Sequence, residues 1–105
     1  MTNTNIMDQI KNDVTTVPVL LFMKGTADQP MCGFSAQVVQ ILKSYGVSFE
    51  HRNVLANDEL REAIKEFTNW PTIPQLYVKG KFVGGCDIVT DLHRKGQLKD
   101  LLATA

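Results

Sequence analysis

One cysteine, Cys32, holds the chemistry most legible in this chain. It stands in Met31-Cys32-Gly33-Phe34-Ser35, where a short apolar strand pattern gives way to a helical one. A cysteine at a helix start meets unpaired backbone N–H groups and the positive end of the helix dipole. Both favour thiolate over thiol, so this sulfur reads as a nucleophile or a metal ligand. Three residues on, where a Cys-x-x-Cys redox pair would hold its second sulfur, the chain has Ser35. The helix therefore offers one thiol and no partner within it.

Other residues could join it. Lys24 closes an apolar run just ahead of the Cys32 segment. A cation there would stabilise a thiolate and meet a carboxylate, against the plainer reading of a solvated lysine. Gly85-Cys86-Asp87 opens a helix after a glycine break, and its first N–H groups suit a carboxylate. Asp87 reads as the N-cap of that helix or as an acceptor for an ammonium, and the two roles are compatible. Cys86 divides evenly between a buried structural cysteine and a redox thiol. Phe34 starts the apolar stripe of its helix, and Ser35 reads as an ordinary first-turn residue. Trp70 reads as structural. His51 and His93 lack metal-ligand spacing to each other or to either cysteine.

The elements that must position these residues follow from periodicity. Ile6, Ile10 and Val14 mark a first helix, with Thr4 or Asn5 as its cap. Val17 to Lys24 reads as a central strand with apolar residues on both faces. Phe34, Val38, Ile41, Leu42 and Tyr45 share a helix face that Gly46 ends. Val47 to Val54 is a second strand. Asn57 or Asp58 caps a third helix carrying Leu60, Ile64 and Phe67 inward. Trp70-Pro71-Thr72-Ile73-Pro74 stops regular structure. Gln75–Val78 and Phe82–Val83 form a hairpin around Lys79-Gly80-Lys81. Ile88, Val89 and Leu92 mark a helix ending near Gly96, and Leu98, Leu101 and Leu102 a final short one. Strands joined by a helix are parallel with a right-handed crossover. The expectation is an α/β fold, a four-stranded mixed sheet flanked by helices, with Cys32 at the carboxyl end of its first strand, where such sheets place their sites.

Bulk properties narrow the class. The 105 residues suit one domain spanning 1–105. Eleven basic and eleven acidic residues balance, which argues against a nucleic-acid or membrane surface with a strong net field. No apolar run approaches the roughly 20 residues of a membrane span. Two cysteines are too few for a disulfide scaffold, and no secretory signal is visible. A reducing compartment is expected, cytoplasmic or, after processing, the mitochondrial matrix.

Four segments together carry a family likeness: Met23-Lys24-Gly25, Cys32-Gly33-Phe34-Ser35, Trp70-Pro71-Thr72-Ile73-Pro74-Gln75 and Gly84-Gly85-Cys86-Asp87. In this order and spacing they resemble the monothiol glutaredoxins of the Cys-Gly-Phe-Ser type, from about Ile6 to Leu102. The resemblance implies a thioredoxin fold, a glutathione site and a [2Fe-2S] cluster shared by two protomers. It also implies BolA-like partners and iron–sulfur apoproteins as recipients. It assigns Lys24, Arg61, Ile73, Cys86 and Asp87 to glutathione, Cys32 to catalysis and cluster ligation, and Gln75 more weakly to the Arg61 region. It places Phe34 beside the site and a cis bond at Ile73-Pro74. Strand-like pairing of glutathione with the Ile73 main chain would follow.

Two mechanisms share that site. A [2Fe-2S] cluster takes four thiolates, and two chains with two bound glutathiones supply four. The chain is then an iron–sulfur carrier, dimeric when loaded. The alternative is an oxidoreductase, in which the Cys32 thiolate attacks a glutathionylated protein and a second glutathione releases it. Ser35 and the loop from Gly25 to Met31 favour the carrier, with oxidoreductase activity weak at most.

Overall fold

A computed structural model describes residues 5–103. Helix α1 spans Ile6–Thr16 and is capped by Asn5, whose side chain accepts from the Asp8 N–H at 2.9 Å. Thr4, the other expected cap, lies outside the described residues. Strand β1 covers Val19–Met23, α2 Gly33–Ser44 and β2 Glu50–Asn53. A 3-10 turn at Val54–Ala56 leads to α3 at Asp58–Thr68, which Asn57 caps. The hairpin of β3, Gln75–Val78, and β4, Lys81–Gly84, precedes α4 at Cys86–Arg94 and α5 at Gln97–Ala103.

The strands lie in the order β2-β1-β3-β4. β1 runs parallel to β2 and antiparallel to β3, and β4 is antiparallel to β3. This is the mixed sheet of the thioredoxin fold. β1 is buried along its whole length because its alternating side chains feed two cores. Val19, Leu21 and Met23 pack with Val38 and Leu42 of α2 and Val89 of α4. Leu20 and Phe22 pack with Ile10 and Val14 of α1 and Ile64 of α3. Helices thus cover both faces, and the carboxyl end of β1 opens between α2 and α3.

Three local expectations need correction. The second strand is shorter than Val47–Val54, because the Asn53 side chain accepts from the Leu55 N–H at 2.9 Å and turns the chain into the 3-10 segment. The N-cap of α4 is Gly85, with no side-chain cap bond, and Asp87 stands inside the first turn. Asp87 is therefore not committed to capping. The hairpin turn is the pair Lys79 (φ 52°) and Gly80 (φ 80°), since a tight two-residue turn between right-twisted strands needs positive φ at both positions.

Leu42 is fully buried between α2 and the sheet. Leu42→Ala should lower unfolding free energy by about 3 kcal/mol through lost transfer energy and an unfilled cavity. Urea unfolding checks this. A loss under about 1 kcal/mol would mean that the core collapses around the gap.

Candidate functional site

Beyond β1 the chain leaves the sheet and returns to it within eight residues. The Met31 N–H donates to the Lys24 carbonyl at 2.9 Å, and Thr26 and Gln29 exchange main-chain bonds at 3.2 and 3.1 Å. Gly25 sits where the two arms cross, at φ 91°, and a Cβ there would fall 2.6 Å from the Gln29 carbonyl oxygen and the Met31 nitrogen. Only glycine fits this crossing. The loop closed in this way delivers Cys32 beside Lys24.

Cys32 is the N-cap of α2, in an extended conformation, and its carbonyl accepts the Ala36 N–H at 2.9 Å. Its thiol makes no cap bond, but the first N–H groups of the helix still act on the sulfur's ionisation. Burial works against ionisation here. The backbone N–H groups of Ser35 and Phe34, the Lys24 charge and the Ser35 hydroxyl outweigh it and hold the thiol below its ordinary pKa. Ser35 contributes more than its position suggested. It is fully buried, and its hydroxyl accepts the Lys24 N–H at 3.1 Å while also serving the Cys32 sulfur. One oxygen thus ties the end of β1 to the start of α2.

A cavity of about 440 Å³ opens in front of Cys32. Lys24, Cys32, Arg61, Ile73, Cys86 and Asp87, singled out from the sequence, all line it. Lys65 joins them, one turn beyond Arg61 on α3. It escaped the sequence reading, although the i,i+4 spacing puts both cations on one helix face. Three cations therefore face a single lining carboxylate, Asp87. The Ile73–Pro74 bond is cis. The β1–β3 ladder starts at Gln75, opposite Phe22, which leaves the Ile73 N–H and C=O outside it.

The remaining candidates separate. Phe34 is 62% exposed at the cavity rim, so it belongs beside the site and not to the core. Gln75 faces inward. It is fully buried, its amide donates to the Trp70 and Thr72 carbonyls, and its oxygen accepts from Tyr77. It organises the Trp-Pro turn and has no group left for a ligand. Trp70 packs its ring on Phe82 and also forms part of the cavity wall. Cys86 is buried at the first turn of α4, with its sulfur 3.9 Å from the Thr90 hydroxyl. Both cysteines are free thiols. His93 bonds the Tyr45 hydroxyl, and His51 lies in β2, so neither approaches the cavity lining.

An acidified thiol at the α2 start of a thioredoxin fold, with no second cysteine on its own helix and a cis-proline turn in the same cavity lining, defines a thiol protein without a Cys-x-x-Cys pair. Comparison with known proteins narrows this. Residues 19–83 match the family model described as Glutaredoxin. An uncharacterised monothiol glutaredoxin of Synechocystis is 54% identical over 88% of this chain and 86% of its own. A mitochondrial monothiol glutaredoxin of rice is 50% identical over 95% of this chain, which spans only 54% of that relative's length. The solution structure of a reduced apo poplar glutaredoxin superposes with a TM-score of 0.80 at 49% identity, covering 91% of this chain and 88% of that one. The chain belongs to the glutaredoxin family, among its monothiol members. Among the described residues no helix is long and apolar enough to cross a membrane.

The sign of the pH dependence follows from the lowered Cys32 pKa. Between the folded and unfolded ionisation midpoints the folded chain binds fewer protons. The thiolate's contribution to stability is complete above the unfolded midpoint and is lost as pH falls through the folded one. At neutral pH, Cys32 should react with iodoacetamide faster than a free cysteine does. Ser35→Ala should move its alkylation profile to higher pH, because it removes the hydroxyl and frees the Lys24 amide. An unmoved profile in peptide-mapped alkylation would exclude the Ser35 hydroxyl, though not its backbone N–H, from the thiolate's support.

Proposed function

We propose that this monothiol glutaredoxin binds glutathione in the Cys32 cavity and carries a [2Fe-2S] cluster, as cargo, between two copies of the chain for transfer to apoproteins. The observation that carries this reading is the thiol count. Cys32 presents a partly exposed, thiolate-prone sulfur at the cavity, Ser35 stands where a second on the same helix would be, and Cys86, though it reaches the lining, is buried against the core. Among the described residues no group of three or more His, Cys, Asp and Glu side chains could hold a metal alone. Four thiolates for a cluster then require two Cys32 sulfurs and two from glutathione.

The cavity suits that ligand. Glutathione with an ionised thiol carries two carboxylates, a thiolate and one ammonium, and the lining sets three cations and Asp87 against them. Arg61, in a bidentate grip, and Lys24 take the glycyl carboxylate, with Lys65, paired to Glu62 at 3.4 Å, close by. The Lys24 charge also acts on the Cys32 sulfur. The Ile73 main chain pairs with the tripeptide as a strand would. The first N–H groups of α4, from Cys86 onward, receive the γ-glutamyl carboxylate, and Asp87 accepts from its ammonium. Gly33 supports approach from outside, since a Cβ there would meet nothing within 4 Å beyond its chain neighbours and its own helix backbone. Its smallness serves something beyond the chain.

A BolA-like protein and iron–sulfur apoproteins are the proposed partners of the loaded form, and neither nucleic acid nor membrane is among them. The proposed location is the cytoplasm, with the mitochondrial matrix as the alternative that the rice relative's name favours.

The lowered Cys32 pKa favours a second reading as well. A thiolate can attack the sulfur of a glutathionylated protein, expel the protein thiolate and hold the glutathione as a mixed disulfide. A second glutathione thiolate then displaces Cys32 and leaves as oxidised glutathione.

Anaerobic reconstitution with iron, sulfide and glutathione separates the readings. The expected product is a coloured dimer that forms only with glutathione. Brisk reduction of a mixed glutathione disulfide without any glutathione-dependent cluster would sink the carrier reading. Cys32→Ser should abolish both activities, and Cys86→Ser should leave cluster loading intact. Gly33→Ala should keep or raise stability, by up to about 1 kcal/mol from helix propensity, while loading falls. Unimpaired loading would show that Gly33 faces open solvent in the dimer too.

A further inference from the structure

Asn53 ends β2 opposite Met23 in the parallel ladder. Its side-chain oxygen accepts two main-chain N–H groups, from Gly25 and from Leu55, both at 2.9 Å. Gly25 opens the loop that follows Lys24. Leu55 lies in the 3-10 turn that leads into α3, the helix of Arg61 and Lys65. An amide oxygen has two lone pairs, and here both are used. Asn53 is not itself among the cavity-lining residues.

Lys24 is held at its other main-chain groups by the Cys32 segment. Its N–H goes to Ser35 and its carbonyl receives Met31. Those bonds fix Lys24 to α2 and leave open its relation to α3. The β1–β2 ladder ends at Met23 and Asn53, and the Gly25–Asn53–Leu55 junction is the side-chain link that carries the connection past the ladder's end to the turn before α3. We propose that Asn53 is a positioning residue for the glutathione site, tying the Lys24 loop to the turn that feeds α3 so that Lys24 and Arg61 grip one anion together. This rests on the glutathione reading of the cavity. The competing role is local, as the N-cap of the 3-10 turn alone.

Serine separates the two roles. It caps a helix start about as well as asparagine, but its oxygen sits one bond nearer the backbone. Asn53→Ser therefore keeps the Leu55 contact and gives up Gly25. S-methylglutathione, which has the tripeptide's charges and no free thiol, is the probe. It is titrated by NMR into the full chain as wild type, Asn53→Ser, Lys24→Ala and the double variant. Asn53→Ser should bind roughly fivefold more weakly, Lys24→Ala at least as weakly, and the double variant no worse than Lys24→Ala, as for two residues acting through one contact. A capping role alone would leave Asn53→Ser at wild-type affinity, and that result overturns the proposal. So does a loss that adds in full to that of Lys24→Ala. In the wild type, the probe should also slow hydrogen exchange at the Gly25 and Leu55 amides together. A response at only one of them counts against the link, whether or not the variants fold. A wild type that does not bind the probe removes the glutathione reading, and this inference falls with it.

Discussion

The site depends on how the main chain is held where β1 ends. The Lys24 N–H is taken by the Ser35 hydroxyl, the Lys24 carbonyl takes the Met31 N–H, and the next amide, Gly25, is taken by Asn53. Unpaired main-chain groups in a part-buried position cost about 1–3 kcal/mol each, so these three bonds leave the junction little freedom. They set Lys24 against the sulfur that follows Met31. The loop can be this compact because Gly25 lets its two arms cross within van der Waals range. Fold and chemistry meet here: the bonds that end the central strand also place a cation and a helix start at one thiol.

The electrostatics follow a narrow balance. Burial alone would keep Cys32 protonated. Two helix-start N–H groups, a lysine and a hydroxyl reverse that, and each is short-ranged and geometry-dependent. A deeper site would strengthen every term but close the sulfur to a partner. A shallower one would leave the support screened by water and salt. The exposed Phe34 and Met31 flank the sulfur on its open side. The lining itself combines apolar groups such as Phe34 and Ile73 with the cations Lys24, Arg61 and Lys65.

Much of the fold was legible because periodicity and breakers agree. β1 had apolar residues facing both ways, and it is the strand that feeds both cores. The Trp70–Pro74 stop and the Lys79-Gly80 turn bracket the hairpin as their residue types require. What stayed hidden depended on side chains reaching across the fold. Asn53 looks like any polar strand end until Gly25 and Leu55 both arrive at its oxygen. Gln75 resembles a free polar residue until the Trp-Pro turn folds over it. Ser35 was read by its place in the first turn, yet its role comes from Lys24, eleven residues earlier. Asp87 was given the cap because aspartate favours it, but the glycine break comes two residues sooner. Local propensity names residue types, and long-range contacts assign their tasks.

Ser35 also bears on why a single-cysteine site is coherent and not a damaged two-cysteine one. In a Cys-x-x-Cys helix the second sulfur sits where it can attack the first and release whatever is bound. Here that position is filled by a fully buried hydroxyl whose lone pair is spent on the Lys24 amide. A sulfur at position 35 would be a poorer acceptor for that N–H and a bulkier occupant of a sealed space. The serine therefore holds the junction and at the same time removes the internal competitor for whatever Cys32 binds. No thiol of α2 itself can then attack whatever Cys32 binds. The exposed Met31 and Phe34 next to Cys32 in the chain, and the open space where a Gly33 Cβ would stand, leave the start of α2 accessible to an outside partner.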